Sequence, residues 1–247
     1  RRLYTQVPRR NAMGLKLSRV ILLLTFSLTI SVCPAPASDL VQVSEYHGDE
    51  VKAKSGLVWL GLFPTKKDNQ HTLRKTRVKI TIVYDGINDE PGQKTGKKIT
   101  IPDKEEPVFL VRGVDSLKPG PVETCKYKLP PSTVEQLPCG TKLTLKLKNS
   151  KTYLHVKGSK KGDTISNCTL TLESNGRKQV IYNEKEVGDS GTPKLLWAGD
   201  LDGDGKLDLF MDTTNHYNIS RPTLFLSGKA KRGKLVQEVA FIDCTGC

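Results

Sequence analysis

The sequence lacks several features that mark common protein classes. After the N-terminal region, no stretch sustains the 3.6-residue apolar spacing of an amphipathic helix, which argues against a helical fold. The four histidines stand singly, so none belongs to a closely spaced set of zinc ligands: His47, His71, His155 and His216. The N-terminal apolar run, Val20 to Val32, is shorter than the about 20 residues that a membrane-spanning helix needs.

The same apolar run has the organisation of an export signal. A short basic segment at residues 13–19 precedes it, and Ala35-Pro36-Ala37 supplies the small-x-small pattern that signal peptidase recognises. We therefore predict a signal peptide at residues 13–37, with residues 1–12 as upstream sequence or an extended N-region. The mature chain would begin at Ser38.

The export signal predicts a periplasmic, extracellular or cell-surface location. A lipoprotein, in which Cys33 is lipidated, is the less favoured alternative. Val32 precedes that cysteine, where a lipoprotein signal requires Gly, Ala or Ser. No stable membrane span is expected after the signal is removed.

The positive charge of the chain is reduced when the predicted signal is removed. Residues 1–37 contain six basic and no acidic residues, so Lys and Arg fall from 39 to 33 against 26 Asp and Glu, which leaves +7. The remaining lysines are dispersed, and no basic patch with stacking aromatic residues indicates a nucleic-acid partner. An unknown protein or an envelope component is the expected partner.

Alternation of apolar and polar residues predicts a mainly β fold. Val78 to Tyr84 and Thr141 to Lys148 both alternate with a period of two, which is typical of strands with one buried face. Asn175-Gly176, directly before the strand-like segment Arg177 to Tyr182, predicts a type I′ hairpin turn. We expect antiparallel β-sheets arranged as a sandwich or a meander.

A proline-rich region separates two β-rich parts of the chain. It lies between residues 114 and 138 and contains Pro119, Pro121, Pro130, Pro131 and Pro138. Because such clusters mark loops and boundaries, we predict an N-terminal domain at residues 38–118 and a C-terminal domain at residues 119–247. Two sheets of one body are the alternative.

Five cysteines follow the predicted signal: Cys125, Cys139, Cys168, Cys244 and Cys247. In an oxidising compartment, disulfides are favoured over metal ligation. A bond between Cys125 and Cys139 would close a loop around Pro130 and Pro131, and Cys244 could pair with Cys247, although spacing alone leaves the connectivity open. An odd number leaves one cysteine free or bonded between chains.

The most specific motif is a nine-residue acidic loop that begins at Asp200. Its carboxylates occupy positions one, three, five and nine, and the Lys206 carbonyl at position seven offers a further oxygen. Calcium prefers such oxygen ligands. The glycines at positions four and six permit the backbone angles of a tight turn. The predicted Ca²⁺ ligands are Asp200, Asp202, Asp204, Lys206 and Asp208.

The loop differs from an EF-hand at its twelfth position. An EF-hand requires a bidentate Glu there, whereas this chain has Met211. Strand-like segments flank the loop at Lys194 to Ala198 and at Leu207 to Met211. The motif therefore predicts a calcium-binding strand-loop-strand hairpin near the C-terminus.

From about Leu195 to Leu226, this segment resembles FG-GAP and VCBS repeats, whose D-x-D-G-D-G-x-x-D loops bind calcium between two β-strands. No second D-x-D-x-D-G run occurs, which argues against a complete propeller of such repeats. The C-terminal stretch from Trp197 onward is also similar to a family of uncharacterised bacterial secreted proteins. The resemblance implies a calcium site and an extracytoplasmic setting.

Residues 188–193, G-D-S-G-T-P, resemble the nucleophile segment of chymotrypsin-like proteases. The sequences around His47 and His71 do not match that family, so we expect a polar turn at this hexapeptide and assign no catalytic residue.

The leading hypothesis is an exported, non-enzymatic, calcium-binding module. The alternative is a calcium-stabilised secreted hydrolase that acts on polysaccharide or peptide.

Overall fold

The computed structural model describes residues 38–67, 70–129, 136–188, 191–216 and 218–245. The predicted signal peptide at residues 13–37 and the preceding residues 1–12 lie outside them. Every regular element in the described residues is a β-strand, and no helix there is long and apolar enough to cross a membrane. The strands are β1 (Asp39–Val41), β2 (Glu45–Tyr46), β3 (Val58–Pro64), β4 (Gln70–Arg77), β5 (Lys79–Val83), β6 (Gly96–Thr100), β7 (Leu110–Arg112), β8 (Gly120–Thr124), β9 (Lys142–Leu147), β10 (Ser150–Lys161), β11 (Thr164–Ser174), β12 (Arg177–Val187), β13 (Lys194–Asp200), β14 (Asp208–Asp212), β15 (Ile219–Ser220), β16 (Pro222–Leu226), β17 (Gln237–Phe241) and β18 (Cys244–Thr245).

These strands form antiparallel sheets, which confirms the predicted fold class. The largest sheet has nine strands in the order β1-β7-β3-β4-β8-β13-β14-β16-β17, and it is nearly closed because its edge strands β1 and β17 lie against each other. A four-stranded sheet has the order β12-β11-β10-β9. Smaller sheets comprise β2-β6-β5 and β15-β18.

Local sequence patterns account for many of these elements. In β9, Leu143, Leu145 and Leu147 are buried, as the alternating pattern predicts. The turn between β11 and β12 has positive φ at both Asn175 (49°) and Gly176 (73°), as a type I′ turn requires. Strand β5 is also present, as the alternation from Val78 to Tyr84 predicts. Its apolar side chains are, however, only partly covered by the rest of the protein.

The predicted division after residue 118 falls within a continuous sheet. Strand β8, which follows that position, pairs with β4 on one side and with β13 on the other. Side chains also pack across the division: Leu62 and Trp197 belong to one buried hydrophobic cluster. Both parts of the chain therefore contribute strands and core residues to the same nine-stranded sheet.

The hairpin that carries the acidic loop is buried on both faces. Leu209 and Met211 of β14 pack into a cluster shared with the four-stranded sheet, whereas Phe210 packs on the opposite side against Phe109, with ring centroids 4.8 Å apart. All five residues of β14 and of β16 are buried. Two cores thus hold the strands from which the loop extends.

Candidate metal centre

The acidic loop connects β13 to β14 and is closed by their pairing. Asp200 is the last residue of β13, Asp208 is the first residue of β14, and Gly199 pairs with Asp208. The tight path between them requires positive φ at Gly203 (77°) and Gly205 (78°), which a residue with a Cβ adopts at a cost. The strand-loop-strand arrangement predicted from the motif is present.

Three of the predicted ligands converge. Asp200, Asp202 and Asp208 each offer a carboxylate oxygen, and these oxygens all lie within 4.8 Å of one another. Asp200 is 7% exposed and Asp208 is fully buried. Because three crowded acidic groups in this setting repel one another, the cluster could hold a metal ion, which would compensate their charge.

Asp200 contains an oxygen without a protein partner. Its Oδ2 accepts a hydrogen bond from the Gly205 amide at 3.0 Å and lies 3.8 Å from Lys148 Nζ. Its Oδ1 is buried and has no hydrogen-bond partner. An unsatisfied buried carboxylate oxygen is costly, so this atom fits the donor that a hard cation requires.

Asp208 is held from both sides of the loop. Its Oδ2 accepts hydrogen bonds from the amides of Leu201 and Asp202, at 2.6 and 3.2 Å. Its Oδ1 accepts the amide and the hydroxyl of Ser227, at 2.7 and 2.8 Å. Burial raises the pKa of Asp208 to about 7, against these hydrogen bonds. The carboxylate is thus fixed in position before any cation is added.

Asp204 differs from the other three aspartates. Its Oδ1 accepts a hydrogen bond from the Lys206 amide (2.8 Å) and lies 3.0 Å from the Ser227 hydroxyl, which shares its single proton between this oxygen and Asp208 Oδ1. Its Oδ2 pairs with Lys206 Nζ at 2.9 Å. Burial acts to raise the pKa of Asp204, but these hydrogen bonds outweigh it and lower the pKa. Asp204 is not part of the three-carboxylate cluster. Metal ligation by Asp204 and by the Lys206 carbonyl stays a prediction.

Two residues that directly follow β16, Ser227 and Gly228, complete the site and were not predicted from the sequence. Ser227 bonds to Asp208 and Asp204, as described above. A Cβ on Gly228 would overlap Oδ2 of Asp202, so only glycine leaves space for that carboxylate. Neither residue belongs to the motif, and no oxygen-rich pattern around them indicates a role.

A polar cavity of about 700 Å³ adjoins the loop. Its lining includes Gln70, Glu123, Lys148 and Asp200. Lys148 Nζ lies 3.2 Å from Glu123 Oε2, and hydrogen bonding to Glu123 raises the pKa of Lys148. A positive and a negative side chain therefore face the cavity beside the acidic cluster.

The histidines considered for a protease triad have other partners. His47 Nδ1 lies 2.7 Å from Asp85 Oδ2, and His71 Nδ1 lies 2.7 Å from Thr124 Oγ1. Burial lowers the pKa of His71. Ser190 of the protease-like hexapeptide lies outside the described residues.

The disulfide expected between Cys125 and Cys139 is not formed. Neither is bonded to another described cysteine. Cys125 is buried after β8, where its amide bonds to the Ala198 carbonyl at 2.8 Å, whereas Cys139 packs near Gly158 of β10. The predicted partner of Cys244, Cys247, lies outside the described residues.

Comparison of the chain with protein-family models, curated proteins and solved structures finds no match. The resemblance of Leu195 to Leu226 to FG-GAP and VCBS repeats consequently stays a prediction from the loop motif.

Proposed function

We propose that this chain is an exported calcium-binding β-protein in which one Ca²⁺ ion stabilises the β13–β14 hairpin. The observation that carries the proposal is the buried, unpartnered Oδ1 of Asp200 beside the carboxylates of Asp202 and Asp208. This oxygen lacks a donor among the described residues, and a cation would satisfy it.

The donor set favours a hard cation. All side-chain donors of the cluster are carboxylate oxygens, whereas structural zinc sites use thiolate and imidazole ligands. Calcium accepts six to eight oxygens in flexible geometries, while magnesium demands a near-ideal octahedron. A short loop with carboxylates from positions one, three and nine therefore suits Ca²⁺ better than Mg²⁺.

The role proposed for the ion is structural. Asp200 ends one buried strand and Asp208 begins the next, and Ser227 links Asp208 to the end of β16. An ion held by these carboxylates would fix three neighbouring strands at one end of the nine-stranded sheet. Binding to the folded state alone stabilises it by mass action.

We propose that the surface beside the ion-stabilised loop binds a partner and does not perform catalysis. The cavity beside the loop, lined by Glu123 and Lys148, offers charges of both signs to an unknown protein or envelope component. Export is proposed from the N-terminal sequence at residues 13–37. Extracellular calcium modules operate at affinities down to roughly millimolar values.

Thermal unfolding with and without calcium tests the metal proposal. The protein is dialysed against EDTA, then melted in EDTA, in excess CaCl₂ and in the same concentration of MgCl₂. Calcium should raise the unfolding temperature more than magnesium does, because calcium accepts the flexible geometry of a loop site, whereas magnesium demands a near-ideal octahedron. An unfolding temperature that is the same in all three conditions would overturn the proposal.

A further inference from the structure

Cys139, which we predicted to pair with Cys125, lies next to a different cysteine, Cys168. Cys139 precedes β9, and the amide of the following Gly140 bonds to the Val156 carbonyl of β10 at 2.9 Å. This bond fixes the Cys139 segment beside β10. Cys168 lies in the neighbouring strand β11, fully buried.

Gly158 of β10 is the residue that lets the two cysteines approach. A Cβ at Gly158 would lie 2.8 Å from Cys139 Sγ and 3.4 Å from the Cα of Cys168. The Cys139 sulfur thus occupies the space above Gly158 that a side chain would fill. The β10–β11 register also shifts between Lys157 and Ser159, so Gly158 is an irregular position in the ladder.

The two cysteines both lie against Gly158 and differ in exposure. Burial, and then the adjacent Cys139 thiol, raise the pKa of Cys168 to about 12. Cys139 is partly exposed, whereas Cys168 is not. The other two described cysteines, Cys125 and Cys244, also lack disulfide partners.

We propose that Cys139 and Cys168 form a dithiol–disulfide pair that reversibly cross-links the segment before β9 to strand β11. This modification site is independent of the proposed calcium site. The cross-link would join the edge of the four-stranded sheet to its interior. It would close a loop of about 30 residues, which removes conformational freedom from the unfolded chain.

The chemistry requires an external oxidant, for which a low-molecular-weight disulfide, RSSR, is sufficient. Cys139, the accessible thiol, loses its proton and its sulfur attacks RSSR, releasing one RS⁻ and forming a mixed disulfide. Cys168 then loses its proton, and its sulfur attacks Cys139 Sγ and displaces the second RS⁻. Two protein thiols become one disulfide, and RSSR takes up two electrons and two protons to become two RSH.

Peptide mapping of the whole chain tests the proposal. The reduced protein is incubated with oxidised glutathione, free thiols are alkylated, and the protein is digested with trypsin without reduction. The expected product joins the tryptic peptide 129–142 to the peptide 162–177, and both thiols lose their reactivity towards the alkylating reagent. Alkylation of both cysteines after oxidation, or their linkage to other cysteines, would overturn the proposal.

Substitutions provide matched controls. Cys139→Ser should abolish the linked peptide, whereas Cys125→Ser should leave it intact. Oxidation should raise the unfolding temperature of the parent by roughly 10 °C and dithiothreitol should reverse the change, because the closed loop is long. An equal rise in the Cys139→Ser variant would assign the effect to another cysteine pair and contradict the proposal.

Discussion

Ser227 donates both its amide and its hydroxyl to the same oxygen of Asp208, at 2.7 and 2.8 Å, across 19 residues of sequence. The two bonds connect the end of β16 to the first residue of β14. They also orient the fully buried carboxylate that belongs to the acidic cluster. The candidate metal centre is therefore built from a contiguous loop and from a residue that directly follows the neighbouring strand β16.

Replacing Ser227 by Ala should weaken both the fold and calcium binding. The variant leaves Oδ1 of Asp208 with the backbone amide alone and removes the hydroxyl proton that Asp208 shares with Asp204, so we expect a loss of about 1–3 kcal/mol in the free energy of unfolding. Chemical denaturation and calcium titration measure the two effects. Ser159→Ala, at an exposed position of β10, is the control and should match the parent. Equal stability of the two variants would contradict the role assigned to Ser227.

Asp202→Asn should reduce the calcium response without harming the metal-free protein. At a calcium concentration about 100 times Kd, the parent gains about 2.7 kcal/mol, or roughly 5–10 °C in unfolding temperature. The variant should lose more than half of that shift, since it lacks one of the three clustered charges. In EDTA it should unfold at the parent's temperature or above, because fewer like charges are crowded.

The control for Asp202→Asn is Asp163→Asn, which removes an exposed aspartate from the turn between β10 and β11. Differential scanning fluorimetry of both variants, with calcium and with EDTA, makes the comparison. The control should retain the full calcium shift. If both variants respond to calcium like the parent, Asp202 is not a ligand.

Gly228→Ala should lower calcium affinity by displacing a carboxylate. The added methyl group would overlap Oδ2 of Asp202, which must then rotate out of the cluster. We expect at least a tenfold rise in the calcium Kd, measured by isothermal titration calorimetry. Gly86→Ala is the matched control, because a Cβ there meets no atom within 4 Å. An unchanged Kd for Gly228→Ala would show that Asp202 is not required in its present position.

Acid should destabilise the turn that contains Asp85. Hydrogen bonds, first from the Asn88 side chain and then from His47, hold the pKa of Asp85 far below its usual value of 3.8. Because the folded-state pKa is depressed, the stabilisation is fully present above the unfolded-state pKa and is lost as pH falls towards the folded-state value. Asp89, whose pKa is also lowered, lies in the same turn and accepts the Asp85 amide at 2.7 Å.

Thermal unfolding between pH 7 and pH 2 measures this effect. Asp85→Asn should unfold at a lower temperature than the parent at pH 7, and the difference should shrink as pH falls below about 4. A difference that stays constant across this range would contradict the assignment to the Asp85 carboxylate. Asp163→Asn is again the control.

Sequence patterns predicted elements whose cause is local. Thr141 to Lys148 contains β9 because its leucines alternate, and Asn175-Gly176 forms the expected turn because both residues tolerate positive φ. The pattern was less informative in β5, where Ile82 is 52% exposed. That strand is at the edge of the three-stranded sheet, so alternation alone does not decide how deeply its apolar face is covered.

By itself, the sequence determined the all-β class and the acidic loop, since strand periodicity, turn chemistry and the spacing of Asp200, Asp202 and Asp208 act over a few residues. The tertiary structure decided which groups from distant segments meet the loop and one another. Pairing of β14 with β16 places Ser227 and Gly228 at the loop. The approach of Cys139 to β10 at Gly158 replaces the expected cysteine pairing. These contacts depend on strand order and register, which packing sets across tens of residues and which no local pattern encodes.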